Sequence, residues 1–351
     1  MTGQAVIEYR STAARTAQRT VTFVVADGID DSSRVSGGNV YDQHVRDRLG
    51  RHGWEVSTVA VGDAAGAGAV LQRLADGATV LIDGLVAGWA PDEIATAAGR
   101  VRLAVLAHMV AAVFPGATAA AVDAERRVLA AAHRVIATSA WTARELERRG
   151  LVDAGRLSIA VPGVAASPLP QPGRGRRLLC VGVVAPHKGQ DVLLAALRRL
   201  PERDWTCAIV GSDRTAPGFA AEVRREAAGF DGRVQLTGVL GRAALAAEYG
   251  RGGLLVAPSR VESSGMAIAE ARARGIPVVA ADVGGIPDTV AGGGAILVRP
   301  DDPAALAAAL HVWLTDPVLR HRLRREARAA RTGLPTWDDT TAAVAAALEA
   351  A

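Results

Sequence analysis

Short β-branched runs alternate with Ala-rich, helix-favouring stretches along nearly all of this 351-residue chain, and the alternation breaks once and then restarts. In the first half the strand-like runs are residues 20–26, 55–61, 79–83, 102–107, 134–138 and 156–161. In the second half they are 177–183, 206–210, 234–236, 254–257, 278–281 and 295–298. Runs this short and this apolar, separated by helices, predict parallel sheets covered on both faces. The break, residues 162–173, holds four prolines and two glycines in twelve positions. Such a segment continues neither a helix nor a central strand, so it reads as a linker. The expected organisation is α/β: a loose extension over 1–19, a Rossmann-like domain over 20–165, a linker over 166–176 and a second Rossmann-like domain over 177–333. A last helix over 334–351 follows. Two doubly wound domains on a hinge place a cleft at the C-terminal ends of both sheets, where such folds bind ligands.

Composition narrows the function classes. Hydrophobic residues make up 50% of the chain, enough for two cores. No apolar run approaches the ~18 residues of a membrane span. The first twenty residues carry Arg10, Arg15 and Arg19 without an apolar stretch, so a cytoplasmic protein is expected. The only cysteines, Cys180 and Cys207, sit inside apolar runs and read as buried thiols, against a disulfide framework or zinc site. The formal net charge is +4, yet basic and acidic residues interleave, as at Arg144-Glu145-Leu146-Glu147-Arg148. This reads as solvated helix faces rather than a nucleic-acid surface. The denser stretch 320–331 leaves weak attraction to an anionic membrane surface open. Among the 40 Lys and Arg residues, Lys188 is the single lysine. A chain that uses arginine everywhere else keeps a compact ammonium at that position.

Four places suggest chemistry. After the strand-like run 254–257, the segment Pro258-Ser259-Arg260-Val261-Glu262-Ser263-Ser264-Gly265 turns into a helix carrying Glu270 and ending at Gly275. A helix entered through Ser-Ser-Gly offers free N–H groups and a positive dipole end to a phosphate. Two carboxylates around that start would oppose an anion if they faced it, so they suit hydroxyls on either side of a diphosphate. The competing reading is a capping box between Ser259 and Glu262, with Glu270 a solvated helix residue. The second place is Lys188, in Gly182-Val183-Val184-Ala185-Pro186-His187-Lys188-Gly189, which matches neither a Walker loop nor a dinucleotide fingerprint. The third is Ser36-Gly37-Gly38-Asn39, a Gly-rich turn after the first strand; the fourth is His108, at the cleft end of residues 102–107. No Asp-x-Asp occurs, so no metal-chelating nucleotide-sugar site of that type is expected.

The Glu262–Glu270 spacing, with Gly275-Ile276-Pro277 and Gly284-Gly285-Ile286-Pro287-Asp288, resembles the donor-domain signature of retaining family 4 glycosyltransferases. The Val181-Gly182-x5-Lys188-Gly189-x-Asp191 segment, the Val161-Pro162-Gly163-Val164 entry to the linker and the final Trp337 helix fit the same family. The resemblance runs from Val21 to the C-terminus and implies the GT-B fold, with the acceptor domain first, the donor domain second and the last helix crossing back. It implies that Glu262 holds hydroxyls of the donor sugar and Glu270 the ribose. Gly265, Met266 and Ala267 would contact sugar and phosphate through their amides, and Lys188 the diphosphate. Gly37 and Gly38 would close on the phosphate, His108 would lie beside the reacting sugar, and Val239 and Leu240 would bind the base. His108, Lys188 and Glu262 are thereby implied in catalysis. Two departures stand out. Val183 occupies the place of a second diphosphate-binding Arg, for which His187 or Arg260 could substitute, and Asp288 replaces the usual Glu.

The expected function is transfer of a hexose from a UDP- or GDP-sugar to a small-molecule, glycan or lipid-linked acceptor, with retention, by front-side attack and without metal or other cofactor. A GT-B sugar-nucleotide epimerase and a non-catalytic nucleotide-sugar-binding relative are the rivals. No motif names the sugar, the acceptor or the oligomeric state.

Overall fold

The computed structural model describes residues 19–169 and 175–351, so residues 1–18 of the expected extension and 170–174 of the expected linker lie outside the described residues. The first sheet contains β1 (Arg19–Ala26), β2 (Trp54–Val61), β3 (Thr79–Asp83), β4 (Arg102–Ala107), β5 (Arg134–Ala137) and β6 (Leu157–Ile159), in the order β2-β1-β3-β4-β5-β6. The second contains β7 (Arg177–Val181), β8 (Thr206–Val210), β9 (Val234–Gly238), β10 (Leu254–Ala257), β11 (Val278–Ala281) and β12 (Ala295–Val298), in the order β12-β11-β10-β7-β8-β9. Neighbouring strands pair in parallel throughout both sheets.

Alternation along each strand sorts side chains to two cores. Val80 and Ile82 of β3 pack with Leu71, Val86, Ile94 and Val128 from helices on one face. Leu81, between them, packs on the other face with Phe23, Val45, Val344 and Leu348. That second face is covered by the Gly37–Arg48 helix and by the last helix, Trp337–Glu349. The C-terminal segment thus lies on the first sheet. The chain crosses there at Val164, which bridges Thr336, and Gly163, where a methyl group would come within 2.2 Å of the Thr336 carbonyl carbon. A capping box between Thr336 and Asp339 starts the last helix at the crossing.

Strand order places the ligand cleft. The chain leaves β7 toward β9 and returns on the other side at β10, so the loops after β7 and β10 diverge from one crevice. The first sheet reverses likewise between β1 and β3. Such switch points at the carboxyl ends of strands are where α/β sheets receive ligands.

Three strands differ from expectation by two residues or more, and β1, β2 and β5 by one. β6 is shorter, because its neighbour β5 ends at Ala137 and leaves the edge strand nothing further to pair with. β7 stops at Val181, since Gly182 and Gly211 cross so closely that a methyl on Gly211 would sit 1.9 Å from the Gly182 oxygen. β9 extends to Gly238 through a register shift against β8.

Candidate functional site

The two switch-point loops of the second domain are stitched together by backbone. Gly189 has φ +69°, and a methyl there would lie 2.1 Å from the Pro258 oxygen. The His187 carbonyl accepts from the Arg260 and Val261 N–H groups at 2.8 and 3.3 Å. Beneath the second loop, methyls on Gly284 and Gly285 would fall 1.8 Å from the carbonyl oxygens of Glu262 and Ser263. The Gly-Gly pair therefore belongs to the signature because backbone packs on backbone there.

This stitching brings Lys188 to Glu262. The Lys188 Nζ donates to Glu262 Oε2 at 2.6 Å, and Glu262 Oε1 accepts from the Gly265 N–H at 3.2 Å. Their side chains keep 23% and 14% of their exposure. Gly265, at φ +70°, is the N-cap of the Met266–Ala273 helix and leaves its start without a side-chain cap. The capping box weighed for Ser259 and Glu262 is absent; Glu262 instead accepts from the N-cap residue's own amide. Glu270 is not a solvated residue either. Burial raises its carboxyl, partly opposed by neighbouring Tyr249 and Arg274; the Tyr249 hydroxyl donates to the Ala267 oxygen at 3.2 Å.

The first domain meets this loop directly. Gly37 and Gly38, expected as a loop, form the first turn of the Gly37–Arg48 helix instead, because the Ser36 side chain accepts from the Asn39 N–H as N-cap. A methyl on Gly37 would sit 3.3 Å from the Met266 sulfur, and one on Gly38 would sit 3.8 Å from His108 Cδ2. Met266 packs against the first domain's core. Two helix N-termini therefore face each other across the cleft, a setting for a doubly charged phosphate group. Further contacts join the domains: Ser212 Oγ donates to the Ser33 oxygen at 3.0 Å, Phe114 meets His187 edge-on, and Arg144 pairs with Asp288 at 2.7 Å. Val239 and Leu240 lie half-buried after β9, the edge strand two places from β7.

His108 follows β4 and is held by a group that sequence reasoning did not single out. Its Nε2 contacts Asp42 Oδ1 at 2.9 Å, and Asp83 lies alongside, with one ligand atom of each within 4.8 Å of the others. Burial lowers the imidazole, but the charge and hydrogen bond of Asp42 outweigh it and raise it to about 9. Burial raises the Asp42 carboxyl to about 7 against the opposing pull of His108. A histidine and two carboxylates this close could also take a cation, although the 2.9 Å contact is already a hydrogen bond. A readable signal existed for Asp83, a charge ending an otherwise uncharged buried strand beside Gly84. Asp42 had none, because periodicity does not mark a buried Asp.

Neither candidate substitute for the missing arginine is free. Burial, then Lys188, lowers His187 to about 4, leaving it neutral. Arg260 is bound to Asp191, Asp301 and the Pro186 oxygen, where it braces the turn carrying Lys188. The basic stretch 320–331 is also partly engaged: Arg320 donates to Trp313 and Leu314 carbonyls, and Arg331 to Ala273 and Ser167 carbonyls.

Residues 175–316, which hold the whole Lys188–Glu262–Glu270 arrangement, match the family model described as glycosyl transferases group 1. This region is a glycosyl transferases group 1 domain. The chain is 35% identical over 252 residues to a D-inositol 3-phosphate glycosyltransferase of Streptomyces avermitilis, covering 65% of this chain and 54% of that protein. One of Streptomyces scabiei is 34% identical over 257 residues, covering 66% and 57%. The chain thus spans little more than half the length of these curated relatives. Among solved structures, sucrose-phosphate synthase from Thermosynechococcus elongatus aligns at TM-score 0.78 with 21% identity, over 92% of this chain and 96% of that one. Anabaena Alr3699/HepE in complex with UDP-glucose aligns at 0.73 with 18% identity, over 95% and 100%. These likenesses show the fold: the two facing sheets are the GT-B arrangement. Among the described residues no helix is long and apolar enough to cross a membrane.

Proposed function

We propose that this chain is a retaining glycosyltransferase that moves a hexose from a UDP- or GDP-sugar to a small-molecule, glycan or lipid-linked acceptor. The observation that carries the reading is the Lys188–Glu262 pair at the uncapped start of the Met266–Ala273 helix, facing Gly37 and Gly38 across the cleft. The ammonium and two sets of helix-end amides suit a diphosphate. A carboxylate offers about four acceptor positions, so Glu262 retains capacity for sugar hydroxyls beside its two existing bonds. Glu270, half-buried against Tyr249, is the ribose partner. The domain match and the UDP-glucose held by a GT-B neighbour support a nucleotide-sugar donor.

With both glutamates committed to the donor, neither is left as a nucleophile beneath the anomeric carbon. The departing diphosphate oxygen then takes the acceptor proton on the face it leaves, which needs its charge held by preorganised donors and water kept out. No metal enters this scheme. Val183, with His187 neutral and Arg260 engaged, favours one second reading, a relative that binds nucleotide without turnover. Thermal shift against UDP-, GDP- and ADP-sugars identifies the donor, and turnover with acceptor mixtures separates the two readings. A donor-only NMR time course showing loss of nucleotide without acceptor would point to an epimerase instead. Absence of any shift with all three classes would overturn the proposal.

A further inference from the structure

One loop of the first domain reaches the turn that carries Lys188. It leaves β4 at His108 and runs to Thr118, the N-cap of the Ala119–Ala131 helix. Within it Ala111–Val113 form one tight helical turn. The Phe114 N–H donates to the Ala111 oxygen, and the Ala117 N–H donates to the Phe114 oxygen, both at 3.1 Å. Backbone bonds thus hold Phe114 on both sides. Its ring meets the His187 ring of the second domain edge-on, with centroids 5.7 Å apart and planes at 73°. His187 directly precedes Lys188.

The loop is anchored from its own domain. Glu125, on the Ala119–Ala131 helix, accepts the Ala111 N–H through Oε1 at 2.9 Å. Its other oxygen, Oε2, is buried and has no hydrogen-bond partner among the described residues. Burial raises the carboxyl, opposed by the bond from Ala111 and by the charge of Arg149. A buried oxygen without a partner costs free energy, and the hydrogen bond that the carboxyl does make goes to the backbone of this turn. On the facing side the second domain holds the Lys188 turn through Arg260, whose guanidinium donates to the Pro186 oxygen and whose N–H donates to the His187 oxygen. The His187 ring carries the contact to the first domain.

We propose that Phe114 is a positioning residue: through the His187 ring it fixes the Lys188 turn when the two domains close, and Glu125 keeps Phe114 within reach by holding Ala111. A donor that touches both domains binds the closed arrangement, so its apparent affinity falls with the fraction of molecules that are closed. A contact made only between the domains raises that fraction, and this one sits beside the ammonium assigned to the diphosphate. Because the same loop begins at His108, one stretch of backbone sets both the sugar side of the cleft and the diphosphate turn.

The inference rests on the glycosyltransferase reading for its ligand, and two measurements on the full chain separate them. Calorimetry with UDP, GDP and ADP compares wild type with Phe114→Ala, His187→Ala, the double variant, Phe114→Tyr, Glu125→Ala and Glu125→Gln, with melting curves confirming that each is folded. Phe114→Ala should bind the preferred diphosphate about three- to tenfold more weakly, the size of one aromatic pair. His187→Ala should lose a similar amount and the double variant no more than either, because both remove the same contact. Phe114→Tyr keeps the ring and should bind as wild type does. Glu125→Ala should resemble Phe114→Ala, while Glu125→Gln, which keeps an acceptor for the Ala111 N–H, should recover most of the affinity. A merely structural role would lower Tm without coupling the two rings in binding. Without ligand, proton NMR of the His187 imidazole, assigned through His187→Gln, should show its resonances displaced in Phe114→Ala, where the neighbouring ring current is gone. Losses that multiply in the double variant, an unchanged affinity in Phe114→Ala or an unmoved His187 resonance overturns the inference, and wild-type affinity in Glu125→Ala removes Glu125 from it. If no diphosphate binds wild type, the glycosyltransferase reading fails and the positioning role with it, while the NMR comparison still decides whether Phe114 touches His187. Should Phe114→Ala not fold, Phe114→Leu, which keeps bulk without the ring, takes its place in both measurements.

Discussion

At the scale of single residues, the pair of Glu262 and Lys188 concentrates the consequences. Both are mostly covered, so deleting one leaves the other with its charge desolvated and unmatched. Lys188→Ala should weaken nucleoside-diphosphate binding by roughly ten- to a hundred-fold, the equivalent of ~1.5–3 kcal/mol for a charged hydrogen bond. Calorimetry with an unchanged affinity would remove Lys188 from the phosphate site. Glu262→Ala should lose most of kcat/KM, since it removes the proposed sugar anchor and the brace on Gly265 together. Glu270→Ala should mainly raise the donor KM, because Glu270 lies deeper in the helix, against Tyr249 rather than at the turn. Near-normal kinetics for both glutamate variants would reduce the motif to a structural turn.

At the scale of elements, the site depends on places where backbone touches backbone. Gly284 and Gly285 lie under the Glu262 turn with no room for a methyl. Gly285→Ala must push the 262–265 turn or the Ile286–Thr289 helix aside, and should cost more than about 2 kcal/mol, a fall in Tm of at least ~4 °C for a domain of this size. Gly50→Ala is the internal control: nothing lies within 4 Å of its would-be methyl, and Tm should stay or rise slightly. Equal melting temperatures for the two variants would mean that the loop tolerates displacement and that the close approach is not needed. The Gly37–Gly38 turn makes a related point. As the first turn of a Ser36-capped helix, its amides are aimed by the helix rather than by a free loop.

At the scale of the molecule, the proposed reaction needs two domains that close on one donor. Among the contacts that join them, Arg144–Asp288, with side chains 59% and 47% exposed, is an ion pair screened by water. Arg144→Ala should therefore change stability by less than about 1 kcal/mol in thermal melts; a larger loss would give closure a firmer electrostatic latch than this geometry holds. The proposed front-side chemistry predicts an α-linked product from an α-linked donor and no glycosyl-enzyme. Early proton NMR of a β anomer, or a protein mass increased by one hexose, would contradict front-side attack. EDTA is expected to leave turnover intact; loss that magnesium restores would place a metal in the scheme, with Asp42, Asp83 and His108 the first residues to test.

The amino-acid order by itself determined the layered architecture, because strand and helix periods and a proline-rich break are local properties of the chain. It also determined where Lys188, Glu262 and Glu270 fall relative to a helix start, since turn chemistry and spacing are local as well. Tertiary structure alone decided what those groups touch. Lys188 meets Glu262 across 74 positions of chain, and the two loops meet only because β7 and β10 are neighbours in the sheet. It alone decided that Arg260 is engaged, that burial pushes His187 down and that Asp42 pushes His108 up, since each outcome depends on burial and on partners distant in sequence. A buried Asp such as Asp42 illustrates the limit: in the sequence it is one more polar residue on a helix, and its value comes from the imidazole 66 positions away that folding sets against it.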